Sequence, residues 1–458
     1  MSDVMNSPAR SRIESLLDEN SFVELGAMVT SRSTDFSSNE KKASDGVITG
    51  HGLIDGKLVF VYSQDPSVLN GTIGEMHAKK ILSVYDMALK MGAPVIGIID
   101  SKGVRLQESV DALESMGAMI AKAVKASGVV SQIAVVYNCG GGLSALPSMA
   151  DFVFVEKNGS FFVNSPDTIE GNSKDKLNTA SAEFQFKAGN ADFIGDEASI
   201  FEAVRSLFML LPGSNMENGN VEECLDDLNR ASDVAGKTDN LAEFMKELSD
   251  NHVFFEAIAG YAKSLVTGLI KLNGMTVGAV GNQDEILTSE ACEKATAFVK
   301  YCDAFDIPVL TLTNLSGYES SVDGEMDLMH QMSLMAAAFA GATVPKINLI
   351  IKKAVGSAYV LMNSKSLGAD LTYAFPDAEM GIMDAGKAAK ILSESLSGEI
   401  GDIEADFEKN CSGVENAGRR GYIDRIINPE DARKYLIAGF EMLFNKSDET
   451  YYKKHSAK

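Results

Sequence analysis

Apolar and polar positions follow the same order twice along this chain. Alternation over 45–62, punctuated by Gly46, Gly50, Gly52 and Gly56, predicts a β-hairpin that turns at Asp55-Gly56. Met76, Ile81, Val84, Tyr85, Ala88 and Leu89 recur at helical spacing and predict a helix over 74–91. An unbroken apolar run at 95–99 reads as a buried strand, 113–127 as a helix, and 133–137 as a second buried strand. That strand runs into Asn138-Cys139-Gly140-Gly141-Gly142, with a helix expected over 143–150. Short strands at 151–155 and 160–163 and a helix at 198–211, stopped by Pro212-Gly213, complete the first pass. The second pass has a hairpin at 268–281, a helix at 289–305, a strand opening at Val309, a helix at 327–340, a strand at 347–351, and a turn at Gly356 leading into a helix through Leu361. Outside the two passes, short helices are expected at 11–17 and 385–396, an amphipathic helix at 431–444, and a polar loop at 31–44.

The two passes share a register. Pro94 and Pro308, Ile133 and Ile347, Gly142 and Gly356, and Lys80 and Lys294 are each 214 positions apart. Gln64-Asp65 resembles Gln283-Asp284 with the register slipped by a few residues. Solenoid repeats have periods of ~20–50 residues, so a spacing this long means two tandem domains of one kind. The boundaries are set at 1–220 and 251–458, with 221–250, rich in Asn, Asp and Glu around a helical patch at 241–248, as the linker. Repeated strand–turn–helix units without strict βαβ alternation indicate an α/β spiral rather than a dinucleotide-binding sheet.

The glycines between strand and helix carry the candidate chemistry. Without Cβ atoms the backbone can be approached closely. The first N–H groups of the following turn have no internal partner. That arrangement suits an oxygen that gains negative charge during reaction, such as a thioester enolate. A tight packing turn is the alternative on the glycines alone, and the second copy argues against it.

A net charge of −23 over 458 residues argues against binding nucleic acid through its phosphates. Five scattered cysteines without a CxxC pair, no apolar run of membrane-spanning length and no apolar signal core near the N-terminus give a cytoplasmic expectation. The five histidines have no metal-ligand spacing, so no metal is expected. GxxxxGK at 381–387 lacks the following Ser or Thr of a phosphate-binding loop, having Ala388 there. Lys90, in Ala88-Leu89-Lys90-Met91, lies within a predicted helix rather than at a hairpin tip and reads as an exposed helix residue. Ser144 has no complete Gly-x-Ser-x-Gly around it. Met326, Met329, Met332 and Met335 have the spacing of a core or interface stripe. Lys346, Lys352 and Lys353 flank the second turn as strand-edge charges with a candidate role in drawing in an anion.

With these junctions placed, the chain resembles the carboxyltransferase family of biotin-dependent acyl-CoA carboxylases and decarboxylases. The motifs that carry the resemblance are Asp45-Gly46-Val47-Ile48-Thr49-Gly50, Gln64-Asp65, Gly74 to Ile81, Arg105-Leu106-Gln107-Glu108, Cys302 to Pro308 and Ala342 to Lys346. The resemblance implies two tandem crotonase-like ββα-spiral domains, a homo-oligomer, and sites where the N-domain of one subunit meets the C-domain of another. It also implies a carboxyl group moved between biotin, carried on a separate protein, and a short-chain acyl-CoA. Two oxygens then become anionic, the thioester enolate and the biotin ureido oxygen. Gly141 and Gly142 match the first oxyanion hole, and Gly356 and Ser357 the second. Lys102, Gly103 and Arg105, with Ala358, Tyr359 and Val360, are the matching substrate-binding candidates. Implied partners are a biotin carrier and either a biotin carboxylase or a membrane sodium-pump decarboxylase subunit, which would place the chain peripheral to a membrane.

The chain departs from the family pattern at Lys102 and Val104, at Ser357 in place of a second glycine, and at Gln331-Met332-Ser333 in place of Arg-His-Gly. Two other readings stay open on the sequence. One is a biotin-independent crotonase-type enzyme with Glu75, Glu108 or Asp151 as its acid, and the other is a non-catalytic scaffold.

Overall fold

The computed structural model describes residues 7–34, 36, 43–217, 221, 223–395 and 398–448. The chain divides into Met1–Asn218 and Gly219–Lys458. In the first unit a seven-stranded sheet runs in chain order: β1 (Val23–Leu25), β2 (Val47–Ile54), β3 (Lys57–Gln64), β4 (Val95–Asp100), β5 (Gln132–Gly140), β6 (Phe152–Phe162) and β7 (Phe193–Gly195). The β1–β2 and β2–β3 pairs are antiparallel and every later neighbour is parallel. β4 is buried along its whole length, as expected of a parallel strand covered on both faces.

The second unit repeats this plan. β8 (Phe254–Ala257), β9 (Leu265–Leu272) and β10 (Met275–Asn282) are antiparallel neighbours. β10 then continues in parallel through β12 (Val309–Leu315), β14 (Lys346–Val355), β15 (Leu371–Ala374) and β17 (Arg425–Ile426). β11 (Ile286–Leu287) and β13 (Gly317–Tyr318) form a separate pair, and β16 (Glu379–Gly381) joins the end of β14. These are two α/β units of one plan, as the repeat implies, and they fit the crotonase-like pair that the resemblance implies.

The repeat is held by side chains at equivalent places. Lys80, on the helix Glu75–Met91, donates to the carbonyl oxygens of Ser44 and Val47 and to Ser44 Oγ. Lys294, on the helix Ser289–Ala304, donates to the carbonyl oxygens of Tyr261 and Leu265 at 3.0 and 2.9 Å. Each buried ammonium thus fixes the first residue of β2 or β9. Aspartates clamp the parallel strands in the same repeated way. Asp151, just before β6, accepts from Gln132 N at the start of β5 at 2.7 Å, and Asp192, just before β7, accepts from Val153 N at 2.7 Å. Asp370 and Asp424 accept from Lys346 N and Thr372 N, both at 2.8 Å.

Burial pushes the Asp151 carboxyl up to about 7, with the nearby Asp192 charge adding to the rise. Unfolded, the group ionises near its ordinary value of about 4. Between those values the folded chain holds a proton that the unfolded chain has lost, so this group's contribution falls as pH rises through the window. Asp151→Asn keeps an oxygen for Gln132 N and carries no charge. It is expected to raise the urea midpoint at pH 8, by at most about 4 kcal/mol of stability, with the gain shrinking towards pH 4. Equal effects at both pH values would refute the assignment.

Several elements differ from expectation. The helix expected at 143–150 is two 3-10 turns, Gly141–Ala145 and Pro147–Met149. The strands expected at 151–155 and 160–163 are one strand, β6, whose pairing with β5 shifts between Val136 and Asn138. The stretch expected as a linker, 221–250, folds with the second unit as far as it is described. Ser232 N donates to Glu430 O at 3.0 Å, and Leu241, Phe244, Met245 and Leu248, on the helix Leu241–Leu248, are buried in that unit's core. The helical patch expected at 241–248 is present, but its apolar face belongs to the second unit's core rather than to a linker. The sequence pattern gave no sign of the helices Ala182–Lys187, Ile400–Cys411 and Val414–Arg419. The helix Ile400–Cys411 buries only Ile403, too little apolar surface for a periodic signal. In the polar loop expected at 31–44, positions 35 and 37–42 lie outside the described residues, as do positions 222 of the linker and 396 of the helix expected at 385–396.

Candidate active site

Both glycine turns sit where a central parallel strand ends. β5 closes at Gly140, where a Cβ would lie 2.7 Å from the Phe162 ring. Gly141 has φ +67° and opens the 3-10 turn, a conformation that favours glycine. Ser144 Oγ donates to Gly141 O at 2.7 Å and tightens the turn. Gly142 is exposed, and a Cβ there would meet only Met116 Cε at 3.9 Å. The amides of Gly141 and Gly142 stand among the first of the turn, without partners inside it. Beside them a cavity of about 260 Å³ is lined by Ser144, Ser148, Phe161, Phe162, Ile169 and Thr179, among others.

The second turn repeats the first. β14 closes at Val355, and Gly356, with φ +72°, opens the helix Gly356–Leu361. A Cβ at Gly356 would meet only Ile382 O at 3.5 Å. Ser357 is exposed, and its hydroxyl offsets part of the rise that burial gives the pKa of Tyr318, a residue that no sequence motif singles out. Gly356 therefore corresponds to Gly141, and Ser357 to Gly142. The spacing of 214 drifts to 215 here because β14 has 10 residues and β5 has 9. A cavity of about 320 Å³ beside this turn is lined by Ala354, Tyr359, Met380, Phe407, Cys411 and Tyr422, among others.

The remaining candidates separate. Lys102 and Val360 are exposed, whereas Ala358 and Tyr359 are buried and Tyr359 reaches the second cavity. Gly103 has φ +103°, and its carbonyl accepts from Ile73 N at 2.9 Å. Arg105, expected as a substrate contact, is only 3% exposed and already occupied. It donates to Asp45 Oδ1 at 2.6 Å, Glu108 Oε1 at 2.7 Å and Thr72 O at 2.8 Å. The sequence motif that suggested Arg105 is thus a buried ion-pair network.

His77 joins that network, and its tautomer is set by its partners. Nδ1 lies 3.0 Å from the carbonyl oxygen of Asp45, which can only accept, so Nδ1 carries the proton. Nε2 then accepts from Gln64 Nε2 at 3.1 Å, and Gln64 Oε1 accepts from Asp100 N at 3.2 Å. Burial holds the His77 pKa down at about 3, so the ring is neutral at physiological pH. The motif residues Asp45, Gln64, His77 and Arg105 thereby connect to the end of β4.

The other charged groups near the turns are engaged elsewhere. Glu75 pairs with Arg32 and Lys79 at the surface, and Glu108 with Arg105. Lys346, expected at a strand edge, is buried and donates to Phe339 O and Ala342 O at 2.6 and 2.9 Å, fastening the end of the helix Val322–Gly341. Lys352 pairs with Asp239, and Lys353 with Glu285 at 2.9 Å. The GxxxxGK run has Asp384 as the N-cap of the helix Ala385–Leu392, and Lys90 lies in the last turn of its helix, as the sequence pattern predicts. Among the described residues no group of three or more His, Cys, Asp or Glu is placed to hold a metal ion, and no helix is long and apolar enough to cross a membrane.

The family model described as the carboxyl transferase domain matches residues 6–457. The chain is 39% identical to the propionyl-CoA carboxylase beta chain of Roseobacter denitrificans, over 98% of this chain and 92% of that one. It is 34% identical, with the same coverage of each, to methylmalonyl-CoA decarboxylase subunit alpha of Propionigenium modestum. Among solved structures, the transcarboxylase 12S hexamer with methylmalonyl-coenzyme A and methylmalonic acid bound matches with a TM-score of 0.92 at 32% identity, over 98% of this chain and 91% of that one.

Proposed function

The chain belongs to the carboxyl transferase family and is an acyl-CoA carboxyltransferase, and from that premise we propose that it transfers a carboxyl group between biotin and a short-chain acyl-CoA. The observation that carries the reading is the matched pair of left-handed glycine turns, Gly141 at φ +67° and Gly356 at φ +72°, each at the end of an equivalent strand. In this reading the Gly141 and Gly142 amides donate to the thioester oxygen as it becomes an enolate oxygen. Donors fixed before reaction cost no reorganisation, and one such donor contributes about 10²–10³ in rate. The Gly356 and Ser357 amides take the ureido oxygen. The turn fits that group because its glycine leaves the backbone open and the serine N–H donates as a glycine's does. Biotin, when bound, supplies the carboxyl carrier and a ureido nitrogen that takes up the α-proton.

This division makes the first unit the CoA side and the second the biotin side. Lys102, exposed on its loop, is the candidate cation for the CoA phosphates. Exposed apolar side chains in both units support a homo-oligomer with sites between subunits. Leu106, Val110 and Leu113 are 90%, 63% and 52% exposed in the first unit, and Val322, Met326 and Met329 are 77%, 79% and 71% exposed in the second. The partners are a separate biotin carrier with either a biotin carboxylase or a membrane decarboxylase subunit, and the location is cytoplasmic or membrane-peripheral through that partner. The biotin-independent reading loses its support, since Glu75, Glu108 and Asp151 are committed to ion pairs and a strand clamp.

The test is exchange of labelled carboxylate from malonyl-, methylmalonyl- and glutaconyl-CoA by the purified chain with free biotin. Loss of label that depends on biotin is expected. Loss that proceeds equally without biotin would overturn the proposal.

A further inference from the structure

Each glycine turn is preceded, three residues upstream, by a residue hydrogen-bonded to the end region of the neighbouring strand. On β5 that residue is Asn138. Its Nδ2 donates to Asp100 Oδ1 at 2.9 Å, its Oδ1 accepts from Ser160 Oγ at 2.9 Å, and its carbonyl accepts from Ser101 N at 2.9 Å. It stands where β5 shifts register against both neighbours, between Ile99 and Asp100 on one side and between Val136 and Asn138 on the other. Such an irregularity bends a strand and re-aims the residues beyond it. Here those residues are Gly140 and the turn at Gly141.

The brace extends to the N-terminal helix Pro8–Leu16. Arg12 NH1 donates to the second oxygen of Asp100 at 2.9 Å, and its guanidinium lies 3.6 Å from the centre of the Tyr137 ring. Tyr137 in turn donates to Glu197 Oε2 at 2.7 Å. Arg12, at 13% side-chain exposure, and Asp100, at 8%, are largely shielded from water, so their pairing is screened little.

The second unit has such a residue at the same place. Lys353 is three residues before Gly356, its N–H donates to Asn314 Oδ1 at 3.3 Å, and its ammonium pairs with Glu285 at 2.9 Å. Asp100 is the last residue of β4 and Asn314 the last but one of β12, each five positions after the strand's first residue. β12 and β14 also shift register there, between Thr313 and Leu315. A tie between the strand that leads into the turn and its neighbour thus recurs at both turns, through the Asn138 side chain in one unit and the Lys353 backbone N–H in the other.

We propose that Arg12, Asp100 and Asn138 are positioning residues that aim the Gly141 and Gly142 amides at the substrate oxygen. In this proposal they act through the direction of the strand end and not by contact with substrate. The inference rests on the oxyanion reading of Gly141 and Gly142. A donor displaced by a fraction of an ångström still binds the ground state but loses strength for the developing charge, so kcat responds and KM does not.

Arg12→Met, Asn138→Ala and their double variant would be tested in the full, assembled protein by the same exchange assay, with Gly142→Val alongside. Each single variant is expected to lower kcat about tenfold with less than about a twofold change in KM for the acyl-CoA. Because both act through Asp100, the double variant should be no slower than the slower single. Arg12→Lys should recover part of the loss, and melting temperatures should not track the kcat order. Unchanged kcat in both singles, multiplicative losses in the double, or losses that follow melting temperature would each overturn the inference. If Gly142→Val is inactive while Arg12→Met and Asn138→Ala retain full activity, only the brace fails. If Gly142→Val is itself fully active, the oxyanion reading fails and the brace with it.

Discussion

Gly142→Val is expected to lower carboxyl exchange at least about 100-fold while the protein keeps its assembly and melting temperature. The separation of activity from stability comes from the surroundings of the position. The backbone at Gly142 is outside the left-handed region, and a Cβ would touch only the end of Met116 at 3.9 Å. The added methyls therefore grow from a Cβ that meets no backbone. They occupy the open face of the amides, where a substrate oxygen would lie. Gly141→Val and Gly356→Val are poorer tests, because φ values of +67° and +72° would add backbone strain to any loss of function. The measurement pairs exchange rate with thermal unfolding on the same preparation. Full activity in Gly142→Val would remove the oxyanion assignment.

Arg105→Met is expected to destabilise the first unit by about 3–5 kcal/mol, with little direct effect on affinity for the acyl-CoA in whatever fraction remains folded. Its guanidinium neutralises two carboxylates, Asp45 and Glu108, whose side chains are 0% and 1% exposed. Removing the cation leaves both charges buried without compensation. Burial already raises the Asp45 pKa against the lowering influence of Arg105, so loss of Arg105 pushes that carboxyl further towards the neutral form. This sets the sign of the pH effect. At neutral pH the variant must either keep a buried charge or take up a proton there, and both cost stability. At low pH the unfolded chain is protonated as well, and the difference from the parent shrinks. Urea unfolding at pH 7.5 and pH 4.5 would measure this. A variant as stable as the parent at pH 7.5 but with a much higher KM would restore Arg105 as a substrate contact.

Much of the architecture was legible because it depends on local periodicity. The buried strands β4, β5, β12 and β14 are apolar runs, and the helices Glu75–Met91 and Ser289–Ala304 each present a recurring apolar stripe. The spacing of Lys80 from Lys294 carried a real equivalence, since both ammonium groups fasten the first residue of an equivalent strand. The helix Ile400–Cys411 was not legible, because it buries one side chain and its remaining surface is polar.

By itself the sequence determined that the chain repeats one fold twice, that each copy ends a central strand in a glycine turn, and that its motifs belong to carboxyl transferases. Those properties reside in residue type and spacing, which survive being written as a string. Only the tertiary structure decided what the motif residues do. Arg105 reads as a substrate-binding candidate until Asp45, 60 positions away, closes on it, and Asp151 reads as a candidate acid until Gln132 N, 19 positions away, donates to it. The one-residue drift that matches Gly141 with Gly356 likewise emerged only from strand lengths, 9 residues against 10. Pairing of buried charges and the register of parallel strands depend on contacts between distant segments, and neither has a local sequence period to announce it.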